Sequence, residues 1–187
     1  MTRLFALVVA VALGIIGSVL SATSANAAPA GWLSWLLPTG TYCIETQGSP
    51  VLARVAASWN RTDATVVGRT SCSAYPRHMT LKFVGENVPS KIACGTFEGG
   101  GWTWRTVRGV GTWTPNAGLV RINYATNLKA GCRATTAMLE KVMKHETGHW
   151  FGLDHRCAYS LMASCSTWHW KSLDLTAGDI DLVNRRY

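Results

Sequence analysis

Three histidines and one glutamate form the motif with the clearest chemistry in this chain. His145-Glu146-Thr147-Gly148-His149 has the form H-E-x-x-H, and Gly152 and His155 extend it to H-E-x-x-H-x-x-G-x-x-H. Residues four apart lie on the same face of a helix, so His145 and His149 can reach one metal ion. Gly152 turns the chain and lets His155 supply a third imidazole. Three protein ligands with an open fourth position are typical of a catalytic zinc ion rather than a structural one.

Glu146 follows the first histidine and is expected to stand beside the metal without binding it. A carboxylate there can take a proton from metal-bound water and return it to the leaving amine of a cleaved peptide. The motif therefore predicts a hydrolase that cleaves peptide bonds. Two alternatives stay open: a binding module for cell-wall or glycan ligands that contains zinc, and a zinc amidase or exopeptidase of narrow specificity. A purely structural zinc site has no use for a carboxylate at this position, which argues against the binding module.

The motif needs a helix to position it, and the spacing of apolar residues predicts one over residues 134–151. Met138, Val142, His145 and His149 fall on one face, and Lys141, Lys144 and Thr147 fall on the other. Gly152 can take the left-handed conformation that ends a helix. Further along, Thr176 and Asp179 resemble an N-terminal capping box and predict a final short helix.

The segment before this helix is predicted to be mostly strands. Periodicity indicates strands at 41–46, 64–68, 79–84, 102–107 and 119–125, and a helix at 51–59 that begins with Ser49 as N-cap and Pro50. The three glycines at 99–101 predict a break, and the turn-rich residues 114–118 predict the connection between the last two strands. This order of elements predicts an α+β fold with helices packed on one sheet.

The motif and the residues after it resemble the metzincin clan of zinc peptidases. The resemblance rests on residues 145–155 and on Ser160-Leu161-Met162-Ala163, a candidate Met-turn. The ending Gly-Leu-Asp-His, the Ser-Leu-Met sequence, residues 175–180 and Tyr187 look most like the matrixin branch. The resemblance implies a zincin-like fold with a mixed, mostly parallel twisted sheet, an active-site helix and a C-terminal helix. It also implies that His145, His149 and His155 bind zinc, that Glu146 is the base, and that Met162 forms an apolar floor beneath the metal.

The same resemblance suggests where substrate would lie and which metals to expect. A peptide would add to the edge of the sheet, for which residues 102–107 with Trp102 are the candidate, and Trp168 and Trp170 would line a side-chain pocket. One catalytic zinc ion is expected. A calcium ion or second zinc ion is not, because His78 is the one histidine upstream of the active helix. The cysteine-containing pro-segment of matrixins has no counterpart, so we expect folding only after export.

The first residues predict export. Arg3, the apolar run that follows it and Ala25-Asn26-Ala27 describe a signal peptide at 1–27, leaving 28–187 as a single catalytic domain with an irregular lead-in at 28–40. Six cysteines in a secreted chain predict three disulfides. We expect Cys157–Cys165, because they are close in sequence and flank the Met-turn. The pairing of the others stays open: Cys43, Cys72, Cys94 and Cys132.

Charge and hydrophobicity limit the classes of partner that we expect for this protein. The 187 residues carry a net charge of +8, but the basic residues are scattered singly, which argues against a specific nucleic-acid partner. After the first 27 residues no apolar run is long enough to span a membrane, so no membrane association is expected after signal cleavage. We expect a monomer that acts on a protein or peptide substrate.

Overall fold

A five-stranded mixed sheet with helices forms the body of the protein. The structure is a computed structural model, and it describes residues 35–88, 94–123, 135–163 and 172–187. The strands are β1 (Tyr42–Glu45), β2 (Val66–Arg69), β3 (Thr80–Glu86), β4 (Gly95–Val107) and β5 (Val110–Asn123). The helices are α1 (Pro50–Trp59), α2 (Thr136–Trp150) and α3 (Ala177–Asn184). The sheet order is β2-β1-β3-β5-β4, and every neighbouring pair is parallel except β4 with β5. The predicted α+β class and mostly parallel sheet are confirmed.

Local capping signals set the starts of the helices. Ser49 caps α1 by accepting a hydrogen bond from the Leu52 N–H, and Pro50 is its first residue, as predicted. Thr135 caps α2 by accepting from the Met138 N–H. At α3 both halves of a capping box are formed, one by the Thr176 side chain and the other by the Asp179 side chain.

Two sequence predictions about the β4–β5 hairpin are wrong. The glycines at 99–101 do not break the chain, because β4 runs through them and stays paired with β5. Residues 114–118 are not a turn but lie inside β5. The reversal instead falls at Arg108 and Gly109, whose φ angles of 51° and 77° suit a two-residue hairpin turn.

Aromatic side chains fill the core between the sheet and the helices. Trp59 of α1, Trp150 at the end of α2 and Phe151 are fully buried. The Tyr42 ring of β1 meets Trp150 and Phe151 edge to face, with ring centroids 5.8 and 5.3 Å apart. These contacts fix the C-terminal end of α2 against the centre of the sheet.

The second face of α2, which carries Lys141, Lys144 and Thr147, is also buried. Lys144 lies in the interior because two carboxylates pair with it: Glu140 at 2.9 Å and Asp174 at 3.1 Å. The Thr147 hydroxyl donates to the Met143 carbonyl one turn earlier. Helical spacing alone does not reveal such tertiary partners.

Disulfides agree with the expectation of an oxidising environment. Cys43 and Cys72 are bonded to each other, which ties β1 to the segment after β2. Cys94 and Cys157 are also disulfide-bonded. Cys165, Cys132 and the predicted signal peptide lie outside the described residues. The predicted pair Cys157–Cys165 therefore stays a prediction. Within the described ranges, no helix is long and apolar enough to cross a membrane.

Candidate metal centre

The three histidines of the motif meet at one point. The Nε2 atoms of His145 and His149 each lie 3.1 Å from the Nε2 atom of His155. A tetrahedral zinc ion with Zn–N bonds of about 2.0–2.1 Å holds its nitrogen ligands roughly 3.4 Å apart. The described residues therefore contain a group of three imidazoles that could hold a metal ion.

Backbone carbonyls fix which ring nitrogens face this point. His145 Nδ1 lies 2.9 Å from the Leu161 carbonyl oxygen, and His149 Nδ1 lies 2.8 Å from the Leu153 carbonyl oxygen. Each carbonyl can only accept, so the proton of each neutral ring sits on Nδ1 and its Nε2 presents a lone pair. Both lone pairs point at His155 Nε2, which can carry at most one proton. A cation at the centre satisfies all three nitrogens at once.

The surroundings keep the three rings neutral, which is the state that binds metal. Burial lowers the pKa of His149 to about 4, against the opposing hydrogen bond to Leu153. Burial also holds the pKa of His145 well below its usual range, and the neighbouring imidazole of His149 adds to that shift. The pKa of His155 is lowered by burial as well. The site therefore disfavours protons at the positions where a metal ion would bind.

A Schellman motif ends α2 and turns the chain, so that His155 lies next to His145 and His149. The Gly152 N–H donates to the His149 carbonyl and the Leu153 N–H donates to the Gly148 carbonyl. Gly152 has φ +78°, and a Cβ there would lie 2.7 Å from the Trp35 carbonyl oxygen. Glycine is thus required twice, by its conformation and by the close approach of the lead-in segment. The predicted role of Gly152 is confirmed.

Glu146, the residue after His145 in the chain, is buried and faces the start of β4. Burial raises the pKa of its carboxyl to about 8, and a hydrogen bond from the Phe97 backbone N–H acts in the opposite direction. A Cβ on Gly95 would lie 2.9 Å from Glu146 Cγ, so the strand approaches the carboxyl group closely. Gly95 and Phe97 could not be recognised from the sequence, since a backbone donor and a missing side chain leave no motif.

No family model matches the chain, and no curated protein matches it. The geometry of the site therefore carries the functional argument.

Met162 and the loop that contains it lie directly against α2. Met162 is fully buried, and its Sδ atom is 2.4 Å from where a Cβ on Gly148 would stand. Gly148 lies between two of the metal-ligand candidates in sequence, so the thioether packs where only glycine leaves room. The Leu161 carbonyl of the same loop accepts the His145 ring proton, as described above. The loop thus contacts both the backbone and a ligand side chain of the metal helix.

Asp179 ties this loop to α3, a role that the capping box alone did not reveal. Its carboxylate is fully buried and accepts hydrogen bonds from the Ser160 hydroxyl and, at 3.0 Å, from the Leu161 N–H. It also accepts from the backbone N–H and the hydroxyl of Thr176 at 2.9 and 2.7 Å. One carboxylate therefore joins the start of α3 to the residue that orients His145.

The remaining predicted residues lie in different parts of the chain. β4 is the edge strand of the sheet, as predicted for 102–107, but its part nearest Glu146 is Gly95–Phe97 rather than Trp102. Trp102 is partly exposed and lies against Trp35, with ring centroids 5.1 Å apart. Trp168, Trp170 and Cys165 lie outside the described residues.

Proposed function

We propose that this protein is a secreted zinc-dependent endopeptidase. The observation that carries the proposal is the convergence of three neutral imidazoles on one point, with the buried carboxyl group of Glu146 adjacent to His145 in the chain. This combination of donor atoms suits zinc, which takes three histidines and leaves one position open in catalytic sites. The resemblance to metzincins over residues 134–187 supports the same reaction class.

In this proposal, Glu146 is the group that moves the proton. A zinc ion bound to the histidines would polarise a carbonyl group and lower the pKa of a water molecule. Its positive charge would also favour the ionised form of Glu146 over the protonated form that burial alone favours. The carboxylate accepts the proton of the attacking water and then donates it to the amine that leaves when the peptide bond breaks. The Phe97 N–H keeps the carboxylate oriented through both transfers.

The edge of the sheet supports a peptide substrate. Among the described residues β4 pairs only with β5, so an added strand could pair with its outer side, except at the Phe97 N–H, which already donates to Glu146. Its first residues, from Gly95 to Phe97, stand next to Glu146. A peptide paired there would run past the carboxyl group and the three histidines. This arrangement favours cleavage within a chain over removal of a terminal residue.

Secretion is supported by the cysteines and by the predicted signal peptide. The Cys43–Cys72 bond and the bonded state of Cys94 and Cys157 fit an oxidising compartment. Cytosolic proteins keep such cysteines reduced. Mass spectrometry of the protein from culture medium tests this part by asking whether its first residue is Ala28.

Metal analysis combined with peptide-cleavage mapping tests the enzymatic proposal. We expect one zinc ion per chain, cleavage of casein at internal bonds, and loss of cleavage with 1,10-phenanthroline. Glu146→Gln is the matched variant, because it keeps the shape of the side chain and leaves the three ligands in place. This variant should retain zinc, and its rate of peptide cleavage should fall about 10²- to 10⁴-fold.

Other results would reject the proposal. Full activity in Glu146→Gln, or in protein stripped of zinc, would contradict the mechanism. Release of terminal residues alone, or cleavage of non-peptide amides alone, would indicate the narrower amidase or exopeptidase instead.

A further inference from the structure

The far end of the β4–β5 hairpin carries two exposed tryptophans that the candidate metal centre does not use. Trp104 and Trp113 are directly paired across the two strands, and their exposed fractions are 58% and 50%. Their rings meet edge to face with centroids 5.5 Å apart. Trp59 and Trp150, by contrast, are fully buried. We call Trp104, Trp113 and the neighbouring Gly111 the indole platform.

Gly111 lets the Trp104 indole pack directly against β5. A Cβ on Gly111 would stand 2.6 Å from Trp104 Cζ2 and 3.1 Å from Trp104 Cε2, so any side chain there would lift the ring. With glycine, the Trp104 ring packs against β5 and still remains 58% exposed to solvent. The platform is therefore a rigid apolar surface rather than a pair of loosely attached side chains.

Within the described part of the hairpin, the cross-strand pairs that flank the platform on the same face are uncharged, although the chain carries a net charge of +8; Arg108 at the turn donates to the Tyr187 carbonyl. The neighbouring cross-strand pairs on this face are Thr106 with Gly111 and Trp102 with Pro115. Arg105 belongs to the opposite face, because side chains alternate along a strand, and its guanidinium donates to Asn116 Oδ1 at 3.3 Å. A polyanion such as nucleic acid needs cations beside the stacking rings. The platform instead suits a neutral partner.

The size of the platform argues against a protein partner. Two indoles that are about half exposed offer on the order of 200 Å² of contact surface. A stable protein–protein interface takes about 800 Å² from each partner. A single sugar ring is small enough to be covered by this surface, and a polymer offers such a ring repeatedly.

We propose that the indole platform is a docking surface for a neutral β-1,4-linked glucan. All ring substituents of this polymer are equatorial, so each pyranose ring has two faces of C–H bonds that can stack on an indole, with hydroxyl groups at its rim. The Thr106 hydroxyl stands next to the platform and can bond to that rim. The platform itself has no carboxylate or amide side chain that would select an acetamido group, which favours a glucan over its N-acetylated counterpart. Docking would hold the protein on polysaccharide, independently of what its metal centre does.

Binding of the purified full chain to microcrystalline cellulose tests this proposal. Depletion isotherms give the dissociation constant, and Glu146→Gln serves as the background so that no cleavage interferes. We expect Trp104→Ala and Trp113→Ala each to raise that constant about tenfold or more, the usual effect of losing one stacking ring. Trp104→Phe keeps a ring and should retain part of the binding.

Val110→Ala is the matched control, because Val110 is 54% exposed on the same hairpin but does not belong to the platform. It should bind as the parent chain does, and thermal unfolding should show that all variants are folded. Equal binding by the parent chain and Trp104→Ala would overturn the proposal. So would parent-chain binding to chitin with none to cellulose, or self-association that disappears in Trp104→Ala, since a second copy would then be the occupant.

Discussion

Replacing Asp179 by asparagine is expected to weaken both the fold and the binding of zinc. The carboxylate accepts four hydrogen bonds. One donor is the N–H of Leu161, the residue whose carbonyl oxygen orients His145. Asparagine keeps the shape of the side chain but replaces one accepting oxygen with an –NH₂ group. In one orientation of the amide, the –NH₂ group cannot accept the hydrogen bond from the Ser160 hydroxyl. In the flipped orientation, it cannot accept the hydrogen bonds from Leu161 and Thr176.

The size of the effect follows from the type of bond. A hydrogen bond to a charged group contributes about 1.5–3 kcal/mol and a neutral one about 0.5–1.5 kcal/mol. Asp179→Asn removes the charge and one acceptor, so we expect the free energy of unfolding to fall by about 2 kcal/mol. For a domain of this size that corresponds to roughly 4–8 °C in Tm. Loss of a direct outer partner of a ligating histidine typically changes metal affinity 10- to 100-fold; because Asp179 acts through Leu161, one step further out, we expect zinc to bind about tenfold more weakly, the lower end of that range.

Urea unfolding of the zinc-free protein and competition titration with a zinc chelator measure the two effects separately. Thr176→Ala is the matched control, because it removes the cap of α3 at a cost of about 1 kcal/mol but leaves the bond from Asp179 to Leu161. It should lower stability without changing zinc affinity. The reasoning is refuted if Asp179→Asn binds zinc as tightly as the parent chain does.

Three further results are expected. Gly148→Ala should cost about 1–3 kcal/mol in urea unfolding and weaken zinc binding, because its Cβ would stand 2.4 Å from Met162 Sδ; parent-like values for both would contradict this. Replacing Cys43 and Cys72 together by alanine should cost about 3–4 kcal/mol, since the bond closes a loop of 29 residues; unfolding of the oxidised parent and the variant measures it. Burial raises the pKa of Tyr187 from 10.0 to about 12. The buried neutral phenol therefore contributes fully to the free energy of unfolding below pH 10, and this contribution is lost as the pH rises to 12. The Tm of Tyr187→Phe should therefore fall less steeply over that range, and parallel curves would contradict the assignment.

The helices and the three-histidine cluster were predictable because their signals are local. Ser49 and Pro50 mark the start of α1 by their own chemistry, and the spacing of His145 and His149 follows from the helical repeat. The same applies to the turn at Gly152. In each case the residues that form the feature are within a few positions of one another.

The hairpin and the outer contacts of the site were not predictable in this way. Glycines usually interrupt strands, yet Gly99 and Gly111 are covered by the rings of Trp102 and Trp104. Pairing between β4 and β5 then overrides the local signal, and the true turn at Arg108 lacks the usual Asn-Gly or Asp-Gly sequence. Asp179 and Phe97 reach the site from segments far away in sequence, where no spacing rule applies.

The link from Asp179 to His145 has a consequence for the order of folding. Asp179 and His145 are 34 positions apart in the chain, and the parallel strands β3 and β5 also come from distant segments. Contacts between distant segments form slowly compared with local helices, so we expect both the link and the strand pairing to form late. Metal capture should then be among the last events of refolding, after α2 itself has formed. In stopped-flow experiments, uptake of zinc should lag behind the far-ultraviolet signal of the helices. A nascent chain that has not yet supplied Asp179 would hold its histidines without the orientation that zinc requires.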